Sequence, residues 1–100
     1  MYGIKHIVRG EFKPNTQVLV RIAELFLENN SIKKTHLHFA SRTDWSSFER
    51  YLNWLQDKNY IECYDENKHM YRLTNRGREV INAVLMLRDD IKKLQLLISV

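Results

Sequence analysis

One hundred residues are enough for one domain and too few for two, so every element must share a single core or lie in an appended helix. Apolar residues make up 44% of the chain and charged residues 28%, which excludes the apolar-poor composition of a disordered chain. Lysine and arginine number 16 against 12 acidic residues, and the resulting charge of +4 inclines the chain toward polyanionic partners, so the placement of those charges becomes the question.

Cys63 is alone, which excludes an intramolecular disulfide framework and fits a reducing, intracellular setting. The stretch Met1-Tyr2-Gly3-Ile4-Lys5-His6 has no basic region leading into a long apolar run, and no uninterrupted apolar stretch reaches membrane-spanning length. The expectation is a soluble cytoplasmic protein with no membrane partner.

Residues 2–12 (YGIKHIVRGEF) mix aromatic, β-branched and basic residues without a clean period, and residues 1–14 are read as an extended arm or short strand. Pro14 and Asn15 punctuate the chain, after which Val18, Leu19, Ile22, Ala23, Leu25 and Phe26 recur at three- and four-residue steps. That spacing predicts a first helix over 16–29, with a stripe wide enough to pack centrally against two others. The run Ile32 to Ala40 predicts a short second helix that places Ile32, His36, Phe39 and Ala40 on one face and turns Lys33, Lys34 and His38 elsewhere. Ser41-Arg42-Thr43-Asp44 reads as a turn ending in an N-cap. From Trp45, the residues Phe48, Tyr51, Leu52 and Leu55 form the face of a third helix that stops at Asp57-Lys58-Asn59. Asn59 suits a left-handed cap, with Tyr60 and Ile61 anchoring the exit.

Tyr60 to Tyr64 alternates, Asp65 to Lys68 is turn chemistry, and His69 to Leu73 alternates again, which predicts two strands joined as a hairpin. Thr74 then caps a final helix starting near 75. Its residues Val80, Val84, Leu87, Ile91, Leu94 and Ile98 step by 4, 3, 4, 3 and 4, the alternation of a coiled-coil seam. From 75 to 98 such a helix extends about 36 Å, farther than a three-helix core of this size can cover. Residues 15–74 therefore read as the domain and 75–100 as a dimerisation helix.

Helix, helix, turn, helix, hairpin, helix is an α+β, mostly α, order. Within it, Tyr51-Leu52-Asn53-Trp54-Leu55 through Asn59-Tyr60-Ile61, followed by Met70-Tyr71-Arg72-Leu73-Thr74-Asn75-Arg76-Gly77-Arg78-Glu79, resembles the YLxxLxxxGLI and YxLTxxGxE signature of archaeal winged helix-turn-helix proteins. The resemblance spans residues 16–98. It implies three helices plus a β-hairpin wing, DNA binding, and dimerisation through the carboxy-terminal helix, which in some members forms an antiparallel coiled coil. Asn59-Tyr60 stands where that signature has Gly-Leu, and asparagine tolerates the left-handed turn. The amino-terminal arm has no counterpart in the resemblance.

The residues support the same expectation by themselves. A third helix of this length fits a major groove, with its leading turn meeting base edges and phosphates. That turn and its approach carry Arg42, Thr43, Ser46 and Ser47, followed by Arg50 and Asn53, donors suited to both. The alternative is an ordinary solvated helix face, and Glu49 favours it, because a carboxylate repels phosphates unless it reads a cytosine amine or pairs with Arg50. The wing carries Lys68, His69 and Arg72 beside Asp65 and Glu66, so its tip is mixed in sign and fits either phosphate contact or a charged hairpin kept soluble by alternation. Lys33 and Lys34 suit backbone positioning or plain surface charge. Double-stranded DNA is thus the expected partner of a homodimeric transcriptional regulator or architectural, nucleoid-associated binder.

His36, His38, Cys63 and His69 are residue types seen at zinc sites. His-x-His on a helix, however, points its rings in different directions, and no Cys-x-x-Cys pair fixes a site, so no metal or other cofactor is expected. The chain also lacks a Ser-His-Asp order, a Gly-rich phosphate loop and a close acid pair, so neither an enzyme nor a small-molecule substrate is expected. The competing reading is a winged helix that docks a protein instead of DNA. RNA is a weaker candidate without an aromatic RNP-like strand.

Overall fold

The computed structural model describes residues 12–98. Of the expected arm, Phe12, Lys13 and Pro14 carry no regular structure, and residues 1–11 lie outside the described residues.

Helix α1 spans Thr16–Glu28. It begins where Asn15 Oδ1 accepts the amides of Gln17 and Val18 at 2.7 and 3.4 Å, satisfying donors that a first helical turn otherwise leaves orphaned. The Asn15 amide donates to the Tyr51 hydroxyl at 2.8 Å, and Phe12 meets the Tyr51 ring edge-on at 4.8 Å, so the start of α1 is fastened to the third helix. Val18, Ile22, Ala23 and Phe26 are buried, with Leu19 and Leu25 half-buried beside them.

Two features of the next segment differ from expectation. Ile32–Lys33 form a short strand, β1, and helix α2 spans only Lys34–Ser41. Ile32 pairs with Tyr71 and Lys33 with Met70, so the wing is a three-stranded antiparallel sheet in the order β1-β3-β2 and not an isolated hairpin. Pairing across 39 positions leaves no trace in local periodicity. The buried face of α2 is also different: Leu37 and Ser41 face inward, while His36 is exposed and Phe39 is 82% exposed. A serine takes the core position because its hydroxyl is satisfied there, donating to the His38 carbonyl at 2.7 Å and lying 2.9 Å from Thr43 Oγ1. The Arg21 guanidinium closes the same end by donating to the Ser41 carbonyl at 2.9 Å. A polar residue inside and a phenylalanine outside reverse the pattern on which the helix face was read.

Helix α3, Trp45–Asp57, buries Phe48, Tyr51, Leu52 and Leu55 as expected. Its end is a Schellman turn: the Tyr60 amide donates to the Leu55 carbonyl and the Asn59 amide to the Gln56 carbonyl, both at 2.9 Å, with Asn59 at φ 62°. Strands β2, Ile61–Asp65, and β3, Met70–Leu73, follow, with a bulge between Cys63 and Asp65. Ile61 and Tyr71 close the core from the sheet side.

Helix α4 spans Asn75–Ile98. Thr74 Oγ1 accepts the Gly77 amide at 2.9 Å while its hydroxyl donates to the Asn59 carbonyl, joining the start of α4 to the exit of α3. The first half of α4 packs on its own domain through Ile81 and Leu85. Val80 and Val84 are half-buried and line an apolar cleft of about 150 Å³ with Leu19 and Trp54. Arg88 pairs with Glu24 of α1. From Leu87 onward the predicted seam residues are largely open to solvent: Leu87 58%, Ile91 45%, Leu94 56% and Ile98 81% exposed.

Candidate nucleic-acid interface

The leading turn of α3 is built by Asp44, whose carboxylate accepts the Ser47 amide at 2.7 Å. Hydrogen bonds from Ser47, its backbone amide first and then its hydroxyl, hold the Asp44 carboxyl below its usual value. A carboxyl depressed in the native state stabilises it above the unfolded-state pKa of about 3.9, and that stabilisation is lost as pH falls through the native value. Asp44→Ala is therefore expected to lower the thermal midpoint at neutral pH. Calorimetry across a pH series should find the gap to the parent closing below about pH 4; a gap that persists in acid would assign the loss to something other than the ionised cap.

Behind this turn, Arg42 occupies the left-handed region at φ 56° and ends α2. His38 Nε2 lies 3.0 Å from the Thr43 carbonyl, and the His38 ring packs 4.8 Å from Trp45 and 5.2 Å from Phe48. Half-buried Thr43 therefore holds the turn through its hydroxyl and carbonyl, while Arg42 projects from it into solvent. Ser46, Arg50 and Asn53 are exposed on α3, and Ser47 is half-buried.

Glu49 does not pair with Arg50. Lys34 Nζ lies 3.5 Å from Glu49 Oε2 and 5.2 Å from the Trp45 ring centre, so Lys34 offsets Glu49, and Arg50 makes no ion pair within 4 Å among the described residues. The Lys34 amide donates to the His69 carbonyl at 2.9 Å, which draws the wing tip against the start of α2. As a result Lys33, Lys34, Trp45, Lys68 and His69 share one shallow hollow of about 400 Å³. Residues from β1, α2, α3 and the wing converge there, and the missing sequence signal was the β1 to β3 pairing.

Arg72 lies apart from that group. It projects from the outer face of the sheet, paired with Glu62 at 2.7 Å and resting 5.1 Å from the Tyr64 ring. Its neighbours in a second hollow are Arg76 and Arg78 at the entry to α4, cations whose place in the sequence marks only a helix start. The basic recurrence Arg72, Arg76, Arg78 was the available signal.

Among the described residues, no group of three or more His, Cys, Asp or Glu could hold a metal ion, and no helix is long and apolar enough to cross a membrane.

Comparison with known proteins follows the same lines. The profile of the winged helix-turn-helix family matches residues 15–92. One uncharacterized protein of Methanocaldococcus jannaschii is 29% identical over 58 residues, covering 58% of this chain and 26% of the relative. A second from the same organism is 27% identical over 68 residues, covering 68% of this chain and 66% of the relative. The chain thus spans only part of either. Among solved structures, a MarR family transcriptional regulator from Silicibacter pomeroyi superposes with a TM-score of 0.67 at 15% identity, over 95% of this chain and 67% of that one, a likeness of fold.

Proposed function

Because the chain belongs to the winged helix-turn-helix family, we propose that it binds double-stranded DNA as a homodimer and acts as a transcriptional regulator or architectural binder on the nucleoid. The observation that carries this reading is the hollow in which Lys33, Lys68 and His69 stand beside the leading turn of α3. A duplex laid against it would meet phosphate-binding cations beside the leading turn of the helix that enters the groove. Lys34 has a different role from that of its neighbour: it pairs with Glu49, so Arg42, Ser46, Arg50 and Asn53 face the groove with that carboxylate offset. Thr43 and Ser47 act on DNA only through the turn they shape. Dimerisation runs through the exposed part of the seam, Leu87, Ile91, Leu94 and Ile98, with Val80 and Val84 serving mainly their own domain.

Fluorescence anisotropy on duplex DNA over a salt series tests the proposal, because duplex binding weakens steeply with salt in proportion to the phosphates contacted. Arg50→Ala should weaken binding by about tenfold, corresponding to the loss of one good contact, with an unchanged thermal midpoint, since Arg50 is exposed and makes no ion pair within 4 Å among the described residues. Salt-insensitive binding would favour docking of a protein partner, and a variant that loses stability along with affinity would show that Arg50 faces the fold and not the groove.

A further inference from the structure

The second hollow, about 530 Å³, lies at the opposite end of α3 from its leading turn, between Asn59, the base of the wing and the start of α4. Arg72, Arg76 and Arg78 all line it, against one acidic residue, Glu62. Glu62 is taken up by Arg72. Arg76 and Arg78 make no ion pair among the described residues. Two of the three arginines rest against tyrosine rings, Arg72 at 5.1 Å from Tyr64 and Arg76 at 5.6 Å from Tyr60. Stacking of this kind limits the freedom of a long side chain while leaving its planar donor fork available. Among the described residues only Glu62 offsets these three cations, and like charges held together destabilise a surface unless an anion offsets them.

We propose that this hollow holds backbone phosphates of the duplex, flanking the stretch contacted by α3 and the wing tip, and so extends the footprint without adding sequence preference. The proposal rests on the DNA-binding reading above. Geometry favours a long polyanion over an isolated carboxylate. Strand β3 leads from one hollow to the other: His69, in the turn just before it, borders the first and Arg72 the second, three residues and at most about 10 Å apart. Helix α3, 13 residues long, separates its leading turn from the second hollow by about 20 Å. Cations spaced over this distance match a backbone that repeats its charge every few ångströms. Guanidinium groups also bind phosphate oxygens in pairs, which suits contacts that fix position and ignore base identity.

The test compares the full chain with Arg76→Ala/Arg78→Ala on duplexes of two lengths, one covering the α3 contact alone and one extending beyond it on both sides. On the longer duplex the slope of log K against log salt should fall by about two, so that the parent loses roughly tenfold more affinity than the variant between about 50 and 200 mM salt. The loss should be equal across unrelated sequences and absent on the short duplex. Arg76→Lys/Arg78→Lys should keep most of the slope, which separates lost charge from lost structure, and circular dichroism should superpose all three proteins. An unchanged slope in the folded alanine variant would overturn the proposal and leave the hollow to an acidic protein partner. A loss that depends on base sequence would overturn it too. A parent that binds no duplex at all would remove the DNA-binding reading and this one together, an outcome distinct from both.

Discussion

Gly77→Ala is expected to lower the unfolding midpoint by roughly 15 °C, corresponding to a loss on the order of 3 kcal/mol in a domain of this size. A Cβ at this position would lie 1.8 Å from the Tyr60 carbonyl oxygen and 2.8 Å from its carbon. Both atoms are backbone, held by the Schellman exit of α3 and by the Thr74 amide, which donates to the same Tyr60 oxygen at 3.0 Å. Neither can rotate away, so α4 must retreat from the sheet and loosen the contacts of Ile81 and Leu85 with the core. The sign makes the experiment decisive. Alanine in place of glycine inside a helix ordinarily stabilises by about 1 kcal/mol, so a raised or unchanged midpoint in a thermal melt would show that the approach of α4 to Tyr60 is not the constraint described.

Leu87→Lys/Ile91→Lys should convert a dimer to a monomer by sedimentation while leaving the fold of each domain intact. Both side chains are already open to solvent within their own chain, so lysine there removes little from the intramolecular core. In the proposed seam the same lysines would stack charge against apolar layers at adjacent positions, which a short interface cannot absorb. A monomer has one reading head in place of two, and duplex affinity should drop about a hundredfold through lost avidity. The parent's melting temperature should also rise with protein concentration, and the variant's should not. An unchanged dimer mass would move the interface elsewhere, with the exposed Phe39 face of α2 as the next surface to test.

Legibility in the sequence varied with how local each determinant was. The stripe Val18, Ile22, Phe26 and the face Phe48, Tyr51, Leu52, Leu55 announce their helices because each is a repeat confined to one element. Asp44, Asn59 and Thr74 were readable as caps because a cap binds amides or carbonyls within a few residues of itself. The candidate interface was legible only in part. Arg50 and Asn53 lie on the polar side of a regular helix and could be placed without coordinates, whereas the union of Lys33 with Lys68 and His69 depends on a two-residue strand. Thr43 was chosen as a DNA contact for its hydroxyl, but that hydroxyl is engaged with Ser41.

The sequence by itself determined the order of the helices and the hairpin, the caps of the first, third and last helices, the core faces of the first and third, and the excess of apolar residues along the last one, because these follow from short-range hydrogen bonding and from the period of hydrophobic residues. Tertiary structure alone decided that Ser41 and not Phe39 faces inward, that β1 completes the sheet, that Lys34 neutralises Glu49, and that the basic residues divide into two hollows with Arg72 in the second. Each of these depends on which distant groups meet. A buried hydroxyl, a strand edge or a surface charge takes its energy from the partner it finds, and no local pattern encodes that partner.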